Sequence, residues 1–516
     1  MSSNFSRLCR SACFGLAFFL CHEFVATAAD VTWDGGASGT GSGWLQVANW
    51  AGDVVPGAND NAIFSSVGSA TVVTIPMSTA GGTQQVGCVT IDATRVSSLT
   101  LSNSSSTTSG YLQLNGVGGV LLSNASSIRF SMTNGASRFM ALALNASGEI
   151  YAGAGATNRI YIEVTEFGGV RGFTKTGGGY LILNNTNSTY TGGTTNSAGT
   201  IAIDQYATFG TGVAPLVLAG GDLRSENTRA SAPIQNPIIM TADSTIYGNS
   251  TLASLRVFPF GGSINTVAGT LRVGNRGSVG GSTFELRLNG GGYNLTRPII
   301  IGDPSLDTVG TFSELGLNNT NTSGDQTISG NISGQGFILR GATASANGST
   351  IFTGSNTYSG GTFINAGTVF ANNTSGSALG TGAVAVTNAN GTLAGNGTLL
   401  ASVFIATNSV GGNLAPGSLA TNVGKLTVND LTLGENAVYL WTITNAAGTA
   451  GVGWDLITAS NSWTDAASAS NYVTLKVDSL GAVPAGWSAG TARDWTIIQS
   501  PSAIGFDRTH FAIDTS

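Results

Sequence analysis

A thirteen-residue stretch occurs twice in the chain, and this repetition constrains the fold more than any other feature. It reads TYTGGTTNSAGTI from Thr189 to Ile201 and TYSGGTFINAGTV from Thr357 to Val369. The similarity continues downstream, where Phe209–Gly212 corresponds to Leu379–Gly382. Internal self-similarity of this kind indicates a fold built from stacked, similar units, each of which needs its neighbours to bury its apolar face.

Each copy alternates short β-type runs with turns rich in glycine and asparagine. Tyr180–Leu183 and Thr200–Ile203 are predicted strands, and the glycines, asparagines and aspartate beside them suit turns that need positive φ. Similar runs recur roughly every 8–12 residues between positions 70 and 430, without a helical period. We therefore predict an all-β protein, and the repeat favours a parallel solenoid over a sandwich or a barrel.

The repeat also predicts how the two copies should align within such a solenoid. Upstream of the first copy, FTKTGGGYLILNN spans residues 173–185, and upstream of the second, ISGQGFILRG spans 332–341 in a similar place. With about 22 residues per coil, the equivalent Tyr190 and Tyr358 should occupy the same corner of their coils.

The composition supports strands and excludes one class of partner. Charged residues make up 9% of the chain, against about 25% in an average soluble protein, and 75 of the 516 residues are glycine. The formal net charge is −6, and the sequence contains no cluster of lysine and arginine. A nucleic-acid partner is therefore excluded, because such a protein neutralises phosphates with basic side chains.

The N-terminus has the features of a secretory signal. Arg7 and Arg10 precede an apolar run from Ala12 to Cys21, and Ala26-Thr27-Ala28 follows as a small-residue cleavage site. We expect residues 1–28 to be removed and the mature chain to be exported. No later stretch reaches about 18 uninterrupted apolar residues, so we expect no integral membrane segment in the mature chain.

Removal of this segment leaves few ligands for metals or cofactors. The mature chain keeps one cysteine, Cys88, and one histidine, His510, which allows neither an intrachain disulfide nor a zinc site of the usual composition. The sequence also contains no phosphate-binding loop and no calcium repeat. We therefore expect no cofactor and no metal.

The repeated segments resemble the autotransporter-associated β-strand repeat family. The resemblance covers about 170–225 and 325–435, and GGNLAPGSLATNVGKLTVNDLTL, from Gly411 to Leu433, is similar to the segment that follows such repeats. It implies an exported bacterial protein with a right-handed parallel β-helix of the kind found in surface-displayed passengers.

Tryptophan divides the chain into a middle and two ends. Three of the eight tryptophans lie before residue 51 and five lie after residue 440. We predict an N-terminal cap at 29–64, a parallel β-helix at 65–435, and a small C-terminal β domain at 436–516 that looks cut before its closing strands. Exposed indoles in this last domain, at Trp441, Trp454 and Trp487, would suit a carbohydrate-binding module.

One pattern suggests a serine hydrolase. Gly486–Gly490 matches the G-x-S-x-G pattern around Ser488, and Asp494, Asp507 and His510 follow in the order of an α/β-hydrolase triad. That chemistry needs a strained strand-to-helix turn, and no helical pattern follows Ser488. We interpret the segment as a surface turn.

Two carboxylate pairs could act as acid and base. Glu163 and Glu166 are close in sequence, but positions i and i+3 of a strand face opposite sides. Asp303 and Asp307 flank a turn after Ile299–Ile301, where solvated turn carboxylates are the simpler interpretation.

The sequence therefore predicts a non-catalytic, exported surface scaffold used for cell-surface display or adhesion, with a surface polysaccharide or a host or cell surface as partner. A β-helical polysaccharide lyase or hydrolase is the alternative, and a carbohydrate-binding protein is a third hypothesis.

Overall fold

A computed structural model describes residues 28–515 except for 76–81, 104–108, 117–120, 125–128, 135–139, 186, 205, 230–231, 249–255, 277–280, 320–323, 342–346, 407–409 and 418–422. The predicted signal peptide, residues 1–28, lies outside the described residues apart from Ala28.

The chain winds through three β walls, and the pairings between its named strands are parallel. The early coils and those from about residue 238 to 340 carry strands on all three walls, those from about 173 to 237 carry strands on the first and second walls, and those after residue 340 carry strands on the first and third walls. The predicted all-β parallel β-helix is therefore confirmed. Parallel pairing follows from this winding, because each strand meets its equivalent one coil later in the same direction.

The first wall is one continuous sheet of 19 strands. In chain order these are Asp30–Trp33, Asn61–Phe64, Cys88–Ile91, Leu121–Ser123, Gly148–Ala152, Phe173–Thr176, Thr194–Asn196, Leu216–Leu218, Ile238–Met240, Ile264–Thr266, Asn294–Leu295, Gln326–Ile328, Ser349–Phe352, Gly367–Ala371, Gly391–Gly395, Gly412–Pro416, Ala437–Thr442, Val473–Asp478 and Phe511–Asp514.

The second wall is a sheet of 11 strands that belongs to the first two thirds of the chain. Its strands are Val72–Ile75, Leu99–Asn103, Arg129–Thr133, Thr157–Ile160, Tyr180–Leu183, Thr200–Ile203, Asp222–Ser225, Ser244–Gly248, Leu271–Asn275, Ile299–Ile301 and Ile332–Ser333.

The third wall carries two sheets at the same place in the coil order, one of four strands and one of 11. The first comprises Gly82–Val86, Gly110–Leu114, Met140–Leu144 and Val164–Glu166. The second comprises Arg256–Phe260, Thr283–Asn289, Phe312–Asn318, Phe337–Arg340, Thr362–Ile364, Val384–Val386, Ser402–Ile405, Lys425–Gly434, Leu456–Ala466, Ile498–Gln499 and Ala503–Ile504.

Helix is almost absent from the described part of the chain. It contains two short 3-10 helices, Val47–Asn49 and Arg508–His510. No helix among the described residues is long and apolar enough to cross a membrane.

Stacked aliphatic rows fill the interior. On the second wall six buried residues are successive register partners, namely Leu181, Ile201, Leu223, Ile246, Val273 and Ile301. Side chains alternate between the two faces of a strand, so every second residue of each short strand joins such a row. This arrangement explains why the strands are short and rich in Ile, Leu and Val.

Coil length varies along the solenoid. Thr194 pairs with Leu216, and Leu216 pairs with Ile238, so these coils have the predicted 22 residues. Other coils are longer, and Val438 pairs with Thr474 after 36 residues. The extra residues lie partly in longer strands, such as Leu456–Ala466, and partly in the loops between strands, which can lengthen without disturbing the pairing.

The pairing crosses both predicted domain boundaries, at 64/65 and at 435/436. Asn61–Phe64 of the predicted cap pairs with Cys88–Ile91, and Gly412–Pro416 pairs with Ala437–Thr442 of the predicted C-terminal domain. The division into cap, solenoid and C-terminal domain stays a prediction, since the strand pairing does not mark it.

Three tryptophans form a buried cluster at the first coils. Trp33, Trp44 and Trp50 are fully buried, and Trp50 lies 4.8 Å from Trp33 and 5.0 Å from Trp44, measured between ring centroids. Phe64 packs against all three. Edge-to-face contacts of this kind stabilise a core beyond the area that they bury.

The two copies of the repeat lie on different walls. Tyr190 precedes the first-wall strand Thr194–Asn196, whereas Tyr358 precedes the third-wall strand Thr362–Ile364. The prediction that both tyrosines occupy the same corner is therefore wrong. Between the copies, from about residue 238 to residue 340, all three walls carry strands. Across this segment, equivalent parts of the repeat shift by one wall.

The upstream alignment is wrong for the same reason. The strand that pairs with Thr362–Ile364 is Phe337–Arg340, and the strand that pairs with Gly367–Ala371 is Ser349–Phe352. In the first copy the corresponding partners are Phe173–Thr176 and Tyr180–Leu183. Sequence similarity had matched Tyr180–Leu183 with Phe337–Arg340 instead.

Despite this shift, the local geometry of the two corners is the same. The hydroxyl of Tyr190 lies 2.6 Å from that of Thr194, and the hydroxyl of Tyr358 lies 2.6 Å from that of Thr362. Each tyrosine is buried, and burial raises the pKa of its hydroxyl well above its usual range. One coil later a glycine packs on each tyrosine carbonyl.

Only glycine fits at these two positions. Gly210 and Gly380 have φ values of +61° and +68°. A Cβ there would lie 2.0 Å from the carbonyl oxygen of Tyr190 and 2.3 Å from that of Tyr358. The close approach and the left-handed backbone together explain the Phe-Gly and Leu-Gly pairs of the downstream similarity.

A buried cation accompanies each corner. Lys175 pairs in register with Asn196, and Arg340 pairs with Ile364, at equivalent places of the two copies. The Lys175 ammonium donates to the carbonyl oxygens of Thr176, Gly177 and Ala198 at 2.7–3.0 Å. Arg340 donates to the carbonyls of Leu317 and Gly348. The Lys175 ammonium satisfies turn carbonyls, whereas the two carbonyls that Arg340 contacts also accept from the N–H groups of Gly341 and Thr368.

Candidate functional site

The outer face of the second wall concentrates charged side chains in a chain that has few. The guanidinium of Arg272 lies between two carboxylates, 3.2 Å from Asp243 and 3.7 Å from Asp303. Arg276 is 3.4 Å from Asp222. The Arg272 pairs join neighbouring coils, and the Arg276–Asp222 pair spans the coil between them, so all three stabilise the stacking, although each exposed pair contributes only about 0–1 kcal/mol.

Two tyrosines continue this face. Arg276 lies over the ring of Tyr247 at 4.2 Å, and Arg224 lies over the ring of Tyr180 at 4.6 Å. Arg224 also forms an ion pair with Glu226. Cations stacked on aromatic rings add further attraction between coils. The arginines of this part of the face are therefore paired with carboxylates and tyrosine rings of the same chain.

A cleft opens at the edge of this face, where the second wall meets the third. It has a volume of about 330 Å³, and its polar and aromatic lining comprises Asp307, Thr308, Thr311, Phe312, Ser313 and Gln335. The loop between Ile299–Ile301 and Phe312–Asn318 forms much of its rim. Both members of the predicted Asp303/Asp307 pair belong to this loop.

The two aspartates of the loop differ in environment. Hydrogen bonds from Ser305 lower the pKa of Asp303, and Arg272 and Arg276 add to this effect. Burial raises the pKa of Asp307, although Ser313 and the Asn275 N–H donate to its carboxylate at 2.8 and 2.9 Å. Asp303 thus behaves as a turn carboxylate, whereas Asp307 lines a cavity.

Glu163 and Glu166 lie on the same side of the third wall. Glu163 accepts a hydrogen bond from the hydroxyl of Thr189 at 3.3 Å, and Glu166 accepts one from Thr191 at 2.6 Å. The prediction that they face opposite sides is wrong, because Glu163 precedes the short strand Val164–Glu166 and Glu166 ends it. Burial opposes ionisation of Glu166, but the bonds from Thr191 and Arg171 outweigh it and lower its pKa.

The structure does not join Ser488 to His510 through any contact among the described residues. The Nδ1 atom of His510 lies 3.1 Å from the carboxylate of Asp465, which the sequence had not singled out. Asp507 instead caps the short helix Arg508–His510 through the Thr509 N–H. Ser488 is exposed in a turn, where its carbonyl accepts from the Thr491 N–H.

A third carboxylate pair escaped the sequence analysis. Glu285 and Glu314 are register partners on neighbouring coils of the third wall, and both are buried. Glu285 forms an ion pair with Arg287, and its carboxylate occupies the space where a side chain at Gly316 would begin. The Oε1 atom of Glu314 has no hydrogen-bond partner among the described residues.

The physical setting of Glu314 favours its protonated form. Burial, and then the neighbouring charge of Glu285, raise its pKa to about 8, while Arg287 acts in the opposite direction. No sequence signal pairs residues 29 positions apart when coil length varies. The polar residue inside the FELRL run was the one clue, because a polar residue between apolar ones marks an outward position.

Of the five C-terminal tryptophans, two are buried, two are half-buried and one is exposed. Trp441 and Trp454 are buried, and their indole N–H groups donate to backbone carbonyls at 2.9 and 3.0 Å. Trp487 is 52% exposed and stacks on Trp495, with ring centroids 6.1 Å apart. Of the three predicted sugar-binding indoles, only Trp487 therefore presents a ring to solvent.

In the described part of the chain, no group of three or more His, Cys, Asp or Glu side chains is placed to hold a metal ion. Cys88 is half-buried, and burial raises the pKa of its thiol to about 11.

Comparison with protein-family models matches two segments, residues 173–203 and 347–369, to the passenger-associated-transport-repeat. This chain contains passenger-associated transport repeats. The matches agree with the resemblance found in the sequence, and the second begins at the strand Ser349–Phe352, as the strand pairing requires. Comparisons with curated proteins and with solved structures gave no significant match.

The two matched segments coincide with the two tyrosine corners. Each includes the strand directly before the corner, the tyrosine itself and the two strands that follow, the last of which pairs with the strand directly before the corner. The first match also includes the preceding strand Phe173–Thr176. Each match thus contains one complete turn of the solenoid.

Proposed function

We propose that this chain is a non-catalytic, exported scaffold that is displayed at the cell surface and serves adhesion. One observation carries the proposal: the passenger-associated transport repeats form complete coils of a continuous parallel solenoid. Proteins of this architecture present long side walls, and coils can be added or lengthened without a change in the core.

The outer walls support a role in contact with other molecules. Loops inserted between strands project from the walls, and per-coil insertions commonly form the binding face of a solenoid. The interior supports a scaffold role, because stacked aliphatic rows and buried tyrosine corners leave no room for a substrate there.

Cell-surface labelling in the native host tests the display. An epitope inserted beside Val483, which is 78% exposed in a turn, should be reached by antibody on intact cells or found in the released fraction. Labelling that requires permeabilised cells would contradict export to the surface.

Attachment assays test the adhesive role. A strain that lacks the gene should attach less to its natural surface or to neighbouring cells than the parent strain, and the gene supplied in trans should restore attachment. If the two strains attach equally although the protein is on the surface of the parent strain, the adhesive role is contradicted and the proposal of surface display still stands.

A second candidate is a β-helical polysaccharide lyase or hydrolase, favoured by the paired carboxylates Glu285 and Glu314. Such enzymes need an acid and a base on either side of the bond that is cleaved. The burial of both side chains opposes this hypothesis. Release of reducing ends from a polysaccharide panel, lost in Glu314→Gln, would support it, whereas absence of release would remove it.

A further inference from the structure

The cleft beside Asp307 is formed by an insertion into one coil. Ile299 pairs with Ile332 after 33 residues, compared with 28 in the preceding coil from Leu271 to Ile299. Part of the extra length lies in the loop from Gly302 to Thr311, which has three residues more than the corresponding connection 276–282 and stands on the outside of the solenoid. The insertion therefore adds surface without adding to the core.

The loop is held firmly against the preceding coil. Four hydrogen bonds join Asn275 to it: the Asn275 N–H donates to Asp307, the Asn275 carbonyl accepts from the Thr308 N–H and the Thr311 hydroxyl, and the Asn275 amide donates to the Phe312 carbonyl. These distances are 2.9–3.1 Å. Such a loop loses little entropy when a ligand binds, which favours affinity.

A second set of bonds fixes the start of the loop. The carboxylate of Asp303 accepts from the N–H and the hydroxyl of Ser305 at 2.9 and 2.6 Å, and its carbonyl accepts from the Asp307 N–H at 2.8 Å. This turn places Asp307 at the cleft. The side chain of Asp307 is held by two further donors and keeps acceptor capacity, because each carboxylate oxygen can accept more than one hydrogen bond.

The lining combines an aromatic surface with hydrogen-bonding groups. Phe312 is 54% exposed, although it begins a strand. Asp307, Gln335 and the threonine hydroxyls supply acceptors and donors around it. None of the residues that line the cleft is basic, and the nearest arginines, Arg272 and Arg276, are paired with aspartates. The cleft is therefore unsuited to an anion.

We propose that this cleft binds one neutral sugar residue of a polysaccharide. A sugar ring offers an apolar C–H face, which suits Phe312, and a rim of hydroxyl groups, which suits Asp307 and Gln335. The volume of about 330 Å³ is at the lower end of the range for small-ligand sites, which fits one ring better than an extended chain. The inference deepens the proposed adhesive role by naming its partner, and it rests on that role for its biological meaning.

Binding to the purified mature chain tests the site directly. The probes are glucose, galactose, mannose and N-acetylglucosamine, followed by neutral polysaccharides that contain whichever sugar binds, with saturation-transfer NMR as the measurement. We expect at least one sugar to bind, and we expect Phe312→Ala and Gln335→Ala each to weaken binding about tenfold or more.

Phe363→Ala is the matched control. Phe363 is 39% exposed on the same sheet and lies outside the cleft, so its removal should leave binding unchanged. The melting temperature of each variant shows whether it folds, and Gln335 lies in an exposed turn where alanine should be tolerated. The two cleft variants therefore test the site independently of each other.

Three results would overturn the inference: no binding of any neutral sugar, binding that both cleft variants retain, or binding of acidic sugars or peptides in place of neutral ones. These results are distinguishable from failure of the proposed function. A protein that binds sugar in the cleft but is absent from the surface of intact cells would contradict display and leave the site intact.

Discussion

The two passenger-associated transport repeats share the contacts of their tyrosine corners and differ in their place on the solenoid. Both bury a tyrosine whose hydroxyl lies 2.6 Å from a threonine hydroxyl, and both pack a glycine on the tyrosine carbonyl. In the first repeat the strand after the corner belongs to the first wall, and in the second repeat it belongs to the third wall.

This difference shows what the repeat sequence encodes. It encodes one coil with its corner, since the contacts that define it lie within the coil or join it to the next one. It does not encode which wall each strand joins. The coils between the repeats determine the wall of each strand. They carry strands on all three walls, and across them the strand after the tyrosine corner moves from the first wall to the third.

The largest effect should follow removal of a corner tyrosine. Tyr190→Ala and Tyr358→Ala each remove a fully buried ring and should cost about 3–5 kcal/mol of unfolding free energy. If the corners are equivalent, the two losses should be similar. Hydrogen–deuterium exchange of the neighbouring strand amides measures each loss locally.

The conservative variants serve as controls for this pair. Tyr190→Phe and Tyr358→Phe keep the ring and remove one hydrogen bond, which should cost about 1 kcal/mol. Clearly unequal losses of unfolding free energy at the two sites would show that the two corners, although alike in geometry, do not stabilise the fold equally.

A rise in pH from 5 to 8 should destabilise the middle coils and leave the repeats unchanged. The pKa of Glu314 is raised to about 8 from an ordinary value of 4.5, so the folded chain binds more protons than the unfolded chain between these values. Its contribution is present below about pH 4.5 and is lost as the pH rises to 8, at about 1.4 kcal/mol per pH unit.

Hydrogen–deuterium exchange of the backbone amides of Phe312–Asn318 measures this loss of stability between pH 5 and pH 8, after correction for the intrinsic exchange rates. Glu314→Gln should remove the pH dependence, because glutamine stays neutral. The carboxylate beside the Tyr190 corner, Glu166, has a lowered pKa and stays ionised over this range, so the tyrosine corners should keep their protection. Equal loss in the wild type and in Glu314→Gln would rule out Glu314 as its source.

The buried cations sharpen the comparison further. Lys175→Met removes the side-chain donor of three turn carbonyls and should destabilise its own repeat by about 1–3 kcal/mol. Arg340→Met should cost less, because the two carbonyls that Arg340 contacts keep backbone donors. Urea-induced unfolding monitored by proteolysis of each repeat measures the effect. Lys425→Met, at an exposed lysine, is the control and should change little. If Lys175→Met leaves the stability of its repeat unchanged, removing the cost of burying the ammonium group offsets the lost hydrogen bonds.

The fold class could be predicted because its signals are local. Strand length, turn residues and the repeat itself all lie within a few dozen residues, and the stacked row from Leu181 to Ile301 follows from alternation alone. The wall of each strand could not be predicted, since it depends on the summed length of all preceding coils. A coil of 33 or 36 residues shifts everything that follows.

The candidate sites divide in the same way. Asp303 and Asp307 could be found in the sequence because a single loop carries both. Glu285 and Glu314 could not, since only the register of two coils brings them together. The same holds for Asp465, which meets His510 from 45 residues away.

The smallest expected effect is at the serine motif. Ser488→Ala and His510→Ala should leave the hydrolysis of ester and peptide substrates at the background rate, because His510 bonds to Asp465 and not to Ser488. A serine-directed probe should not label the protein. Labelling of Ser488, together with turnover that His510→Ala abolishes, would contradict the non-catalytic proposal.

Disulfide trapping tests the central claim that the repeats are shifted by one wall. The structure pairs Leu339 with Phe363, whereas alignment of the repeat sequences would place Leu339 beside Phe370. Neighbouring strands lie about 4.8 Å apart, within the Cα separation of a disulfide. The native Cys88 should interfere little, because its raised pKa disfavours the thiolate. We predict that Leu339→Cys with Phe363→Cys forms a crosslink under mild oxidation and that Leu339→Cys with Phe370→Cys does not. The opposite result would place both repeats in the same phase and contradict the account.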